Sequence, residues 1–194
     1  MFTRMPRSHT SIAIASANTD NAAFWRQAAQ QGYTPTIPQI AKTGLFPSQI
    51  EALGPLGVNL ATSPWWTPTF PYRSLVTKES AKQLAQAYES KSGRQWNQVL
   101  GSSMSLLDGG VAALERSADP KDKEKVTTAL SKLKITTMTG PIDFTNGPVE
   151  SVSDCPILGG QWVKGTKYPL DCIVTDNTDD RHVPVAAKLQ PYTA

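Results

Sequence analysis

Apolar positions in this chain come in short runs, and their spacing changes character about a third of the way along. Ser11–Ser16 (SIAIAS) is a brief apolar run that reads as a buried strand. It is followed by Ala17-Asn18-Thr19-Asp20-Asn21, rich in cap-forming residues, and then by the helix formers of AAFWRQAAQQ, with Gly32 placed as a C-cap. Thr34–Ile40 reads as extended. Pro47–Leu53 reads as a short helix, with Pro47 in its first turn and Gly54-Pro55 closing it. Val58–Thr62 completes a third strand. Strands alternating with helices at this spacing predict a parallel sheet covered by helices.

The pattern breaks at Leu60–Tyr72 (LATSPWWTPTFPY), which is uncharged and carries Pro64, Pro68 and Pro71 among four large aromatics. Three prolines exclude a helix interior or a central strand. The aromatics exclude a flexible tether. The stretch is expected to carry the chain between two packed units. Beyond it, Thr77 is expected to cap a helix with Ala81, Leu84, Ala85 and Tyr88 on one face. Met104, Leu107, Val111 and Leu114 predict a second, inward stripe. Gly109-Gly110 within that helix costs about 1 kcal/mol per glycine, so close packing against another element is the expected compensation. Asp119-Pro120 opens a third helix running to Leu133, with Val126, Ala129, Leu130 and Leu133 facing inward. The remainder is β-like: Ile135–Met138, Ile142–Phe144 with a turn at Asn146-Gly147, then Ile157–Val163 and Tyr168–Thr175 as a hairpin. From Asp176 onward no periodicity remains, and a poorly packed tail is expected.

Composition narrows the function classes. The chain has 194 residues, 39% of them apolar and 18% charged, with a net charge of +3. No run approaches the roughly 18 apolar residues of a membrane helix. The basic residues are scattered, and the densest cluster, Lys121–Lys125 (KDKEK), is interleaved with acids. This is a solvated helix face and not a nucleic-acid groove. At the N-terminus, Arg4, Arg7 and the following apolar run imitate a signal peptide, but the run is too short and holds two serines, so the strand reading is preferred. Cys155 and Cys172 do not make a zinc site. They either form one disulfide or are both buried thiols, and the thiols are preferred.

Catalysis is not expected. The two histidines, His9 and His182, fall in segments expected to be poorly ordered. Asp143 and Asp154 are placed on strand edges without partners, and no nucleophile-elbow, phosphate-loop or dinucleotide motif occurs. No cofactor and no metal are called for.

At FWRQAAQQGY (24–33), LFPS (45–48), the Trp65-Trp66-Thr-Pro segment and GGQWVKGTKYPLDCIVTDN (159–177), the chain resembles the C-terminal half of type I periplasmic solute-binding proteins. These are the branched-chain amino acid type that serve ABC transporters. The resemblance implies an α/β fold made of parts of two Rossmann-like lobes, lacking the N-terminal half and its export signal. It assigns 11–61 and 157–175 to the second lobe and 62–150, with the hinge crossing, to the first. Residues 1–10 are an unassigned extension and 176–194 a C-terminal tail. It implies a small-molecule solute bound between lobes, a membrane permease as partner, and a periplasmic location for the complete protein. A product without the signal would remain cytoplasmic. An uncovered lobe surface is expected to favour self-association. The alternative is a self-contained α/β interaction or sensory module that associates with a partner chain.

Candidate ligand contacts lie where strands feed helix N-termini. They are Ala17, Asn18 and Asp20 after the first strand, and Ala41 and Lys42 after the second, with Lys42 as a counter-charge. Trp65 and Trp66 are candidate cleft-lining residues. Ala17 and Ala41 stand where the family carries acidic or aromatic contacts, so an organic anion is expected to fit at least as well as an amino-acid zwitterion.

Overall fold

The first third of the chain forms β1 (Ser11–Ile14), α1 (Asn18–Gln30), β2 (Ile37–Ile40), α2 (Pro47–Glu51) and β3 (Ala61–Thr62). Then come α3 (Ala81–Ser92), α4 (Val99–Arg116), α5 (Lys123–Ser131), β4 (Lys134–Thr137), β5 (Gly140–Asp143), β6 (Gly159–Lys164) and β7 (Leu170–Asp176). The structure, a computed structural model, describes residues 11–14 and 18–192. The extension 1–10 and the candidate contact Ala17 lie outside the described residues.

Two units are distinguished. The first comprises Met1–Pro64, Leu158–Thr178 and Pro184–Ala194, and the second Trp65–Ile157 with Asp179–Val183. The first unit holds a five-stranded sheet of order β1-β2-β3-β6-β7. β1, β2 and β3 are parallel, while β6 pairs antiparallel with β3 and with β7. β3 is shorter than the apolar run predicts because Asn59 adopts a left-handed conformation (φ 63°), which interrupts extended backbone. Trp25, Ile40, Ile50, Leu60, Leu158, Trp162 and Val174 make its core.

The C-terminal segment is packed, contrary to expectation. Tyr192 meets Trp25 edge-on at a ring-centroid distance of 5.3 Å, and both Trp25 Nε1 and the Tyr192 hydroxyl donate to the Leu56 carbonyl at 3.2 Å. The Gln161 amide donates to the Gln190 carbonyl (2.7 Å) and its oxygen accepts the Gln190 N–H (3.0 Å). These non-periodic residues are fixed by individual polar contacts with the sheet, a signal that hydrophobic spacing does not carry.

The second unit layers α3, α4 and α5 with the β4–β5 hairpin. Helix α3 begins at Ser80, not Thr77. Ser80 and Gln83 form a capping box, and the preceding Lys78 has positive φ (62°), which breaks any helix started at Thr77. Helix α5 is likewise capped by Asp122, whose carboxylate accepts the N–H groups of Glu124 and Lys125, and not by Asp119. Leu130 faces solvent and Leu133 alone of the predicted inward set is buried. With Ala112 and Ile135 it forms a core flanked by Ile142 and Phe144.

Helix α4 is turned about its axis relative to the expected stripe. Its buried positions are Gly101, Ser105, Asp108, Ala112 and Ala113, whereas Leu107 and Leu114 are exposed. Asp108 decides this orientation. Its Oδ1 accepts from the Ser74 hydroxyl at 2.6 Å and the Val76 N–H at 3.1 Å, closing the loop before α3. No described atom lies within 4 Å of a side chain added at Gly109 or Gly110, so the chain does not supply the close packing expected there.

Asp143 has a partner after all: Lys134 Nζ lies 2.8 Å away, and that bond, with Thr145, lowers its carboxyl to about 2. Asp154 lies in the loop before β6, off the strands. Residues 179–183 are tied to the second unit through Asp180, which accepts hydrogen bonds from the Tyr72 hydroxyl and from the His182 N–H (3.1 Å). Burial works against the charged form of Asp180, but the bonds from Tyr72 and His182 outweigh it and hold its pKa below the usual value. A depressed folded pKa contributes stability above the unfolded value that is lost as pH falls through the folded one. Urea titrations of the native chain and Asp180→Asn are therefore expected to differ at neutral pH and to converge in acid, below the ordinary carboxylate range. A difference that persists there would show that the contact acts by shape alone.

Both cysteines are free thiols, but only Cys172 is buried, which corrects the expectation of two buried thiols. Burial, with the Asp171 charge, pushes the Cys172 thiol up to about 12. Burial around the sulfur of Cys155 also raises its pKa, against a hydrogen bond from Thr139. An aromatic disulfide reagent is expected to titrate Cys155 alone in the folded chain and both thiols in denaturant. Rapid native labelling of Cys172 would contradict the packing of β7.

Candidate functional site

In the first unit, Ile14 of β1 stands opposite Ile40 of β2, so the segments that follow both strands leave the sheet at one end. Gln39 pairs with Ala61, which brings Thr62 and Ser63 of the β3 exit to that same end. The Gln39 amide donates to Ser63 Oγ at 2.6 Å across the strand tips. After Ile40 the chain enters a 3-10 turn, Lys42–Leu45, in which the Gly44 N–H bonds to the Ala41 carbonyl at 2.7 Å.

This turn is held from below. Trp162 of β6 donates its indole N–H to the Gly44 carbonyl at 2.6 Å. A Cβ on Gly44 would stand 3.0 Å from Thr62 Oγ1 and 3.1 Å from Ile40 Cβ, so only glycine seats the turn this closely on the strands. Thr43, Gly44 and Leu45 are buried, Ala41 is half-buried, and Lys42 is exposed. Thr62 Oγ1 is buried without a hydrogen-bond partner. Leaving such a hydroxyl unpaired costs about 1–3 kcal/mol.

Helix α1 opens at this end of the sheet, with Asn18 and Asp20 in its first turn. A helix of that length presents unpaired N–H groups and a partial positive charge at its start, which suits an anion. Lys42 is the only charged residue among 39–45 and 61–63. The end of the sheet is thus uncharged except for one lysine beside a helix start.

Trp65 and Trp66 belong to the second unit. Trp66 is fully buried and is given over to packing, not to lining a cleft. Its ring lies against Trp96 edge-on (5.8 Å) and occupies the space a side chain on Gly101 would need, 2.2 Å from that Cβ position. Trp65 is half-buried, its backbone N–H donating to Gln98 Oε1 at 3.0 Å. The residues gathered by the strand ends, Gln39, Thr43, Thr62 and Ser63, were not singled out from the sequence. Their signal is polar residues at the last positions of otherwise apolar strands, as in IPQI and LATS. Among the described residues, no group of three or more His, Cys, Asp or Glu side chains could hold a metal ion, and no helix is long and apolar enough to cross a membrane.

Residues 7–164 match the sequence family described as periplasmic binding protein, which is most of the chain. The chain belongs to the periplasmic binding protein family. Solved structures agree on the type I fold of this periplasmic binding protein family. A leucine binding protein, LivK, from Thermotoga maritima superposes with a TM-score of 0.66 at 19% identity, covering 87% of this chain and 45% of that one. An ABC transporter substrate-binding protein from Sphaerobacter thermophilus gives 0.65 at 17% identity, covering 81% and 41%. A solute binding protein of an ABC transporter from R. palustris, solved in complex with benzoate, gives 0.57 at 14% identity, covering 92% and 44%. The chain spans less than half the length of these structures. No curated protein sequence matches it. Membership in this family of binding proteins agrees with the expectation that the chain is not an enzyme.

Proposed function

We propose that the chain contributes a solute-binding module of the ABC-importer type, receiving a small organic carboxylate at the carboxyl ends of β1, β2 and β3. The observation that supports this reading is the junction of the α1 start, the Ala41–Lys42 turn and the β3 exit at one end of a parallel sheet. Leucine and benzoate, named for two of the solved relatives, share a carboxylate and differ in their remaining chemistry. Here the turn offers Ala41 and one lysine, and no acid from 39–45 or 61–63 to meet an ammonium group. An uncompensated ammonium would be costly there, so aromatic or aliphatic acids fit this end better than zwitterions. The complete binding protein works outside the cytoplasmic membrane and hands its solute to a permease.

A thermal-shift series with leucine, isoleucine, benzoate, benzamide and urea tests the reading, since a ligand of the native state raises stability by mass action. Benzoate is expected to raise the melting temperature and benzamide to leave it unchanged. Lys42→Met should weaken the benzoate response about tenfold, the worth of one charge-assisted hydrogen bond. Equal shifts with benzoate and benzamide, or a benzoate response insensitive to Lys42→Met, would sink the proposal.

A further inference from the structure

Helix α4 is apolar on both sides. Its inner side packs within the second unit, while Leu106 is 77% exposed, Leu107 47%, Leu114 45% and Val99 44%. At 3.6 residues per turn these four share about a 100° arc of the helix with exposed Ser103 and Gly110. A helix hydrophobic all round is one that is buried all round. No described atom approaches the place of a side chain at Gly110, so the outer side has no cover from its own chain.

The order of residues on this ridge is informative. Reading along it gives Val99, Ser103, Leu106, Leu107, Gly110, Leu114: large, small, large, large, small, large. The sequence of sizes is the same in both directions about the midpoint between Leu106 and Leu107. When two copies are laid antiparallel about that midpoint, Val99 faces Leu114, Ser103 faces Gly110, and Leu106 faces Leu107. Small residues then meet small ones and let the backbones approach, while the leucines fill the centre. A two-fold contact brings the same patch of each copy together, so its central charges would meet close to their own images. This ridge has none: the only ionisable residue from Val99 to Leu114 is Asp108, which is buried on the opposite side against Ser74 and Val76.

We propose that the outer face of α4 is a self-association surface, on which a second copy of this chain packs helix to helix in antiparallel register about Leu106 and Leu107. The palindromic sizes, the open glycine and the missing charge carry the choice of occupant. A single pair of helices four turns long covers well under the roughly 800 Å2 per partner of a standard interface. The dimer is accordingly weak and concentration-dependent. Solute binding at the other unit is not required for it.

Sedimentation of the full chain over a micromolar-to-millimolar series, with circular dichroism as the check on folding, tests the proposal. The native chain is expected to move from monomer to dimer. L106E and L107R should each remain monomeric, because each places like charges near the two-fold axis. The double variant L106E/L107R should dimerise again, since position 106 of one copy faces position 107 of the other. A native chain that stays monomeric throughout would overturn the proposal and assign the face to a different cover, such as the portion of the fold that the longer relatives contain. Association indifferent to L106E, or open-ended aggregation in place of a dimer, would overturn it too. Folded single variants that are monomeric, with no recovery in the double variant, would overturn the antiparallel register on which it rests.

Discussion

Truncating Trp162 to alanine is expected to destabilise the first unit by about 3–5 kcal/mol, the usual cost of emptying a buried tryptophan site. Trp162 is 1% exposed, sits on β6 against β3, and donates its indole N–H to Gly44 in the turn after β2. The loss therefore has two parts that can be separated. Trp162→Phe keeps most of the volume but leaves the Gly44 carbonyl without its donor, and should cost about 1–3 kcal/mol. Hydrogen exchange resolves where this is felt: in the phenylalanine variant, faster exchange should concentrate at residues 41–45, next to the proposed solute site. Uniform acceleration across the sheet would mean that the indole serves packing alone. Benzoate binding should weaken in step with the loosening of that turn.

The second large effect concerns Gly101. A methyl group there would lie 2.2 Å from Trp66 Cγ, and the ring is itself fully buried and fixed against Trp96, so neither side yields easily. Alanine raises helix propensity by about 1 kcal/mol, while overpacking a filled core costs about 1–3 kcal/mol. Gly101→Ala should therefore be destabilising or, at its mildest, near neutral. Gly109→Ala, made where space is open, should stabilise by close to the full propensity gain. Chemical denaturation of the pair reads the contrast directly. Equal effects at the two sites would show that Trp66 does not press on the first turn of α4.

Much of the first unit was legible because its strands and helices follow one another closely and each announces itself by period and punctuation. Gly32, Gly54 and Gly93 end helices or turns with positive φ as residues of that type do. The second unit was harder. In α4 the conventional inward stripe of Met104, Leu107, Val111 and Leu114 lost to a stripe of small and polar residues, because Asp108 hydrogen-bonds the 74–76 loop and Gly101 receives an indole. Neither partner is near in sequence, so no local rule finds them. The same holds for the candidate site. Lys42 and Ala41 could be placed from strand-to-helix order, whereas Thr62 and Ser63 joined them only through the pairing of β2 with β3. Trp66 illustrates the opposite error. Its aromatic, proline-bound setting suggests a binding surface, yet the ring is wholly consumed by the core.

The placement of β6 and β7 bears on how the chain reaches its fold. β3 leaves the sheet at Thr62, but its neighbour β6 is not made until Gly159, and the last contact of that unit, Tyr192 beneath Trp25, comes near the end of the chain. On a ribosome the second unit is almost entirely synthesised while the first still shows β3 as an unpaired edge. Closing that edge needs contacts about a hundred residues apart, which makes it slow, and an open edge is a template for wrong pairing. The helical unit is thus set to fold first, and the parallel sheet waits on the final stretch of translation.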